Sequence, residues 1–140
     1  MRVAFYGGSF DPPHVAHVMA VAYVIALGQF DRILVVPVFQ HAFDKQLARF
    51  EDRRCMCELA VGWWPGVEVS PVEQSLEAPS RTLHTLMHLK REHPEYEIRL
   101  VVGSDVLAEA SGWQQAPVGC GQATCSQSVP LTAGTPRLPP

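Results

Sequence analysis

Val3-Ala4-Phe5-Tyr6-Gly7-Gly8-Ser9-Phe10-Asp11-Pro12-Pro13-His14-Val15-Ala16-His17 decides how this chain is read. The run up to Tyr6 is apolar nearly throughout, as in a strand buried on both faces. Gly7 and Gly8 then read as a tight turn, since glycine reaches positive φ and close backbone approach without penalty. Pro12 and Pro13 fix φ and lack an N–H, which suits the entry to a helix rather than its interior. The helix predicted to follow presents free N–H groups and a partial positive charge, a good seat for a phosphate. His14 and His17 are three apart, so their imidazoles share one face near that end. The strand, turn and helix together suit a polyphosphate on which charge builds up. An isolated histidine pair would more often be a helix cap or a core pair. The glycine loop shifts the balance, because it supplies an anion site of its own.

Working outward, strand and helix alternate. Arg2 to Tyr6 is the first strand, about His14 to Leu27 the first helix with Gly28 as its stop, and Arg32 to Val38 a second apolar strand. A loop, Phe39 to Leu47, carries His41 and Lys45. A second helix spans about Phe50 to Gly62, with Met56, Leu59 and Ala60 as its inward stripe. On this helix Arg53 and Arg54 read as a solvated face shared with Glu51 and Asp52. Val67 to Val69 is a short strand, and Glu73 to Pro79 a loop. Ser80 is a candidate N-cap for a third helix reaching Glu92, with Leu83, Leu86 and Met87 inward. Glu97 to Val102 is the fourth strand, Gly103-Ser104-Asp105 a turn, and Val106 to Ala110 the start of another helix. The expectation is an α/β, Rossmann-like, three-layer fold with a parallel sheet and right-handed crossovers. Ligands of such sheets lie beyond the carboxyl ends of the strands, where the Gly7-Gly8 turn, the Pro37–Lys45 loop and the Gly103 turn all converge.

The domain is expected over residues 1–113. From Gln114 to Pro140 there are five prolines, three glycines and a single charge, Arg137, with no helix or strand period. That tail reads as irregular, and the fold as incomplete at its C-terminal end.

Composition removes several function classes. A net charge of −3 gives no reason to expect nucleic-acid binding. No apolar run is long enough for a membrane span, and Met1-Arg2-Val3 leads straight into a strand without the regions of a signal peptide. A cytoplasmic protein is the expectation. Of the four cysteines, Cys55, Cys57, Cys120 and Cys125, the first two stand two apart on a helix and point in different directions. Incidental thiols are therefore favoured over zinc, and disulfides are disfavoured in a reducing compartment. The two histidines lack an evident third ligand, so no protein-held metal is expected.

The segment Gly7 to His17 resembles the signature of the HxGH nucleotidyltransferase superfamily, most closely its bacterial nicotinate-nucleotide adenylyltransferase branch; Ala16 stands where many members have Gly. The resemblance covers roughly Met1 to Gln115. It implies joining of ATP and nicotinate mononucleotide to give deamido-NAD and pyrophosphate, with Mg2+ carried on the ATP. It implies that His14 and His17 contact ATP phosphates, and that Gly7, Gly8, Ser9 and Phe10 form the cradle. Lys45 resembles a lysine near substrate phosphate, against the plain reading of a surface lysine. Ser80-Arg81-Thr82-Leu83-His84-Thr85-Leu86 resembles a Ser-Tyr-Thr-x-x-Thr-Leu stretch that recognises the nicotinate carboxylate, through Thr82 and Thr85, with Arg81 in place of Tyr. Capping and hydroxyl back-bonding are the alternatives there. Gly103 and Asp105 resemble a Gly-x-Asp turn whose carboxylate binds ribose, and Trp113 an aromatic that stacks on the pyridine ring. Asp11 is expected to organise its loop. Family members also carry an Ile-Ser-Ser-Thr-x-Ile-Arg stretch on ATP phosphates near the C-terminus, which has no match in this sequence. This leads to the expectation of a truncated or frameshifted product, and to a second reading: a nucleotide-binding fragment without turnover.

Overall fold

The computed structural model describes residues 1–40, 46–76 and 81–103. Its element order is β1 (Arg2–Gly8), α1 (Val15–Ala26), β2 (Arg32–Pro37), α2 (Phe50–Val61), β3 (Val67–Val69), a 3-10 turn (Val72–Ser75), α3 (Thr82–Glu92) and β4 (Glu97–Leu100). The sheet is parallel, in the order β3-β2-β1-β4. The Rossmann-like α/β expectation is therefore met. Backbone pairing sets Phe5 opposite Leu34 on one side and Leu100 on the other.

Apolar runs form the central strands because both faces are covered. One core joins Ala4, Phe10, Ile33 and Val35 to Val21 and Val24 of α1 and to Cys57 and Val61 of α2. The other joins Val3, Phe5, Leu34 and Val36 to Leu89 of α3 and to Tyr96. Successive residues of a strand point to opposite faces, so neighbours such as Val35 and Val36 enter different cores. The chain runs from β1 outward to β2 and β3, then returns across β1 to β4. The strand order thus reverses beside β1, the position at whose carboxyl ends sheets of this kind bind ligands.

Several expectations change. Gly7 and Gly8 are not a turn: they continue β1 and pair with Val36 and Pro37. The positive φ falls on Phe10, at 47°. The glycines serve close packing instead. A Cβ on Gly8 would stand 3.2 Å from Cζ of the Phe10 ring, and one on Gly7 would stand 2.9 Å from Cε1 of Phe5. The inward side of α2 is Phe50, Arg53, Cys57 and Val61. Leu59 is 75% exposed, because the buried α2 stripe is displaced by one residue, roughly 100° around the helix, from the one expected. On α3 the buried residues are Thr85 and Leu89 rather than Met87. The expected loop from Glu73 is a 3-10 turn in its first part.

Candidate functional site

The site is built where β1 ends. Ser9, Phe10 and Asp11 carry the chain from the strand to α1, which starts one residue after His14. Phe10 is 2% exposed. Its ring stands edge-on to Tyr6 and His17, at centroid distances of 5.5 and 4.9 Å. A residue with positive φ is uncommon unless its surroundings hold it there, and this buried ring is what holds the loop.

His14 and His17 come together as their spacing requires, with ring centroids 3.8 Å apart. The His14 backbone N–H donates to Nδ1 of His17 at 3.1 Å, while the His17 N–H donates to the His14 carbonyl at 2.9 Å. This reciprocal pairing closes the first turn of α1. It also fixes chemistry: since Nδ1 accepts, the proton of the neutral His17 ring lies on Nε2. Burial holds the His17 pKa below its ordinary value, and the neighbouring His14 charge pushes the same way. His17 is thus a neutral donor in the free protein, beside a more exposed partner.

The loop is tied from beneath. Asp11 accepts the Ala48 N–H at 3.0 Å, the loop-organising role expected of it. Arg53, read in sequence as part of a solvated face, is 1% exposed. Its Nη1 donates to the Ser9 carbonyl at 2.7 Å and its Nε to the Ala48 carbonyl at 2.9 Å. Burial lowers the Arg53 pKa, and the charges of Asp11, Cys57 and Glu73 oppose that shift. Arg54, by contrast, does lie with Glu51 and Glu58 on the outer side.

Glu73 is a second residue that sequence reading missed. It is 4% exposed. One carboxylate oxygen accepts the Phe39 N–H at 3.1 Å, and the other accepts the Thr85 hydroxyl at 2.9 Å. Thr85 is fully buried, so its hydroxyl is committed to Glu73, whereas Thr82 lies exposed at the start of α3. Gly103 is exposed just beyond β4. Lys45, Asp105 and Trp113 lie outside the described residues, as do Ser80, His41 and the expected helix from Val106. Cys55 is exposed and Cys57 buried, facing apart as their spacing implies. Among the described residues no group of three or more His, Cys, Asp or Glu could hold a metal ion. No helix among them is long and apolar enough to cross a membrane.

What this arrangement can do chemically is hold an anion against hydrogen-bond donors at a strand tip. A model of the cytidylyltransferase-like family matches residues 5–130. The chain belongs to the cytidylyltransferase-like family. Among curated members, a probable nicotinate-nucleotide adenylyltransferase of Anaeromyxobacter dehalogenans is 45% identical over 115 residues, which are 80% of this chain and 62% of that protein. One of the same name from Myxococcus xanthus is 38% identical over 118 residues, 81% of this chain and 60% of the relative. The chain thus spans about three fifths of the length of these relatives. The nicotinic acid mononucleotide adenylyltransferase of Plasmodium falciparum, solved in complex with NaAD, superposes with a TM-score of 0.72 at 26% identity, covering 81% of this chain and 57% of that one.

Proposed function

We propose that this cytidylyltransferase-like chain is a nicotinate-nucleotide adenylyltransferase that joins ATP to nicotinate mononucleotide, releasing pyrophosphate. The carrying observation is the His14–His17 pair, hydrogen-bonded through Nδ1 at the head of α1 and facing out beside the loop that ends β1. The names of the relatives favour nicotinate mononucleotide as the second substrate.

In this reaction an anionic phosphate oxygen of the mononucleotide attacks the α-phosphorus of ATP. A new P–O bond forms, and the bond from the α-phosphorus to the bridging oxygen breaks. The electron pair leaves with pyrophosphate. The nucleophile is already charged, so no general base is needed. The work is positioning and neutralising charge that develops on the phosphates. His17 Nε2–H and the His14 ring donate to the polyphosphate. Backbone N–H groups of Ser9 and Phe10 line the cradle, with Gly7 and Gly8 paired in the sheet beneath it. By the family resemblance, Lys45 is assigned to substrate phosphate, Thr82 and the start of α3 to the nicotinate carboxylate, Gly103 and Asp105 to the ribose, and Trp113 to the pyridine ring. Thr85 acts through Glu73, holding α3 to the Phe39 segment. Mg2+ travels with ATP, bound through phosphates and water.

A coupled assay for deamido-NAD from ATP and nicotinate mononucleotide tests this. The wild-type chain is expected to turn over, and His17→Ala to lose about 10²–10³ in kcat, the usual cost of removing one preorganised donor. ATP binding without turnover would replace the enzyme by a nucleotide-binding fragment.

A further inference from the structure

We infer that Arg53 is a positioning residue that strengthens the phosphate cradle from behind, through a peptide bond rather than by contact. Its guanidinium is 1% exposed, so a bound nucleotide cannot touch it. Its Nη1 donates at 2.7 Å to the carbonyl of Ser9. That carbonyl belongs to the same peptide unit as the Phe10 N–H, one of the groups proposed to face phosphate. A cation bonded to the oxygen of a peptide withdraws electrons from it and makes its N–H a better donor, the cooperative strengthening expected along a hydrogen-bond chain in a low-dielectric site.

The remaining bonds of Arg53 leave it little freedom to do anything else. Nε is fixed on the Ala48 carbonyl at 2.9 Å, and the Ala48 N–H is in turn fixed on Asp11 at 3.0 Å. The Phe50 ring lies 5.7 Å from the guanidinium carbon. Arg53, Ala48 and Asp11 therefore form a closed clamp on both ends of the Ser9–Asp11 turn, with the buried Phe10 ring between them. The positive charge sits under the turn, where its field also favours an anion above. A structural arginine could be satisfied by any carbonyl. This one is directed at the peptide that joins Ser9 to Phe10, whose ring lies 4.9 Å from that of His17.

The inference rests on the reading that this turn binds phosphate, but its test does not need turnover. Isothermal titration of the 140-residue chain with inorganic tripolyphosphate, and separately with adenosine, compares wild type, Arg53→Lys and Arg53→Gln. Arg53→Gln is expected to bind tripolyphosphate about tenfold more weakly, as for loss of one charge-assisted hydrogen bond, with adenosine binding unchanged. Arg53→Lys, which keeps the charge, is expected to recover most of that loss. In ¹⁵N-edited spectra of the unliganded protein, the Phe10 amide proton is expected to move upfield in Arg53→Gln and less in Arg53→Lys. Equal losses for tripolyphosphate and adenosine, or an unmoved Phe10 amide, would overturn the inference and leave Arg53 as packing. If Arg53→Gln does not fold, Arg53→Lys decides alone: binding as weak as that of a His17→Ala control, or no shift of Phe10, overturns it. Wild-type binding of tripolyphosphate without deamido-NAD formation would remove the enzyme reading and leave this one standing. Turnover with unchanged phosphate affinity in both variants would do the reverse.

Discussion

Single residues at the end of β1 carry most of the chemistry, and their roles separate by what surrounds each of them. Gly8 is needed for shape. A methyl group there meets the Phe10 ring at 3.2 Å, and that ring is buried and cannot swing into solvent. Gly8→Ala is therefore expected to cost about 1–3 kcal/mol, the usual range for overpacking a filled core, read as a lower urea midpoint with an unchanged slope. The motif around Gly8 was legible in sequence because it is local: glycines, prolines and histidines at fixed spacing describe one continuous passage from strand to helix, although the two glycines extend β1 rather than form the turn. Arg53 was not. Its partners are backbone carbonyls, and the Ser9 one is 44 residues away in sequence. A carbonyl exists at every position, so no side-chain pattern announces that one will be unpaired and waiting. Helical periodicity then places an arginine outward by default, and here that default fails.

Elements are held to one another by a few buried polar contacts, and those contacts set how the site responds to pH and mutation. The first turn of α1 uses Nδ1 of His17 as an acceptor, which protonation abolishes. The folded-state pKa of His17 lies below its ordinary value of 6.5. Between those two values the unfolded chain holds more protons than the folded one. The stability linked to this group is accordingly full above pH 6.5, declines as pH falls from there to the folded-state value, and levels off beneath it. Thermal unfolding from pH 8 down to pH 5 is expected to show this decline in wild type and a shallower one in His17→Gln. On the other face, Glu73 joins the Phe39 segment to α3. Thr85→Val keeps the shape but strands a carboxylate oxygen, at an expected cost of about 1–3 kcal/mol by chemical denaturation. Sequence reading found Thr85 but gave it a ligand to touch. The hydroxyl is spent within the protein, on a glutamate that looked like part of a loop.

At the scale of the whole molecule, a parallel sheet covered on both faces places its ligands at the strand tips, and the order of strands decides which tip. This much was legible, because continuous apolar runs such as Ile33 to Val36 are what double coverage demands. Double coverage itself is open to test. Val35 and Val36 are 1% and 0% exposed and enter opposite cores. Val35→Ala and Val36→Ala are each expected to destabilise by about 1–3 kcal/mol; a sheet with one wet face would show the loss in only one of them. The exposed sides of α2 and α3 were assigned less well, since Leu59 and Met87 look inward by composition while the packing places their helices at a different rotation.

The measurement that bears most directly on the phosphate cradle is the titration of the two histidine rings by NMR, with and without ATP. If the polyphosphate rests on the His14–His17 pair, its negative charge raises the His17 pKa from its lowered value toward or above the ordinary one, and the chain takes up protons as ATP binds. ATP that saturates the protein while the His17 titration stays where it was would place the nucleotide elsewhere and contradict the assignment of this site.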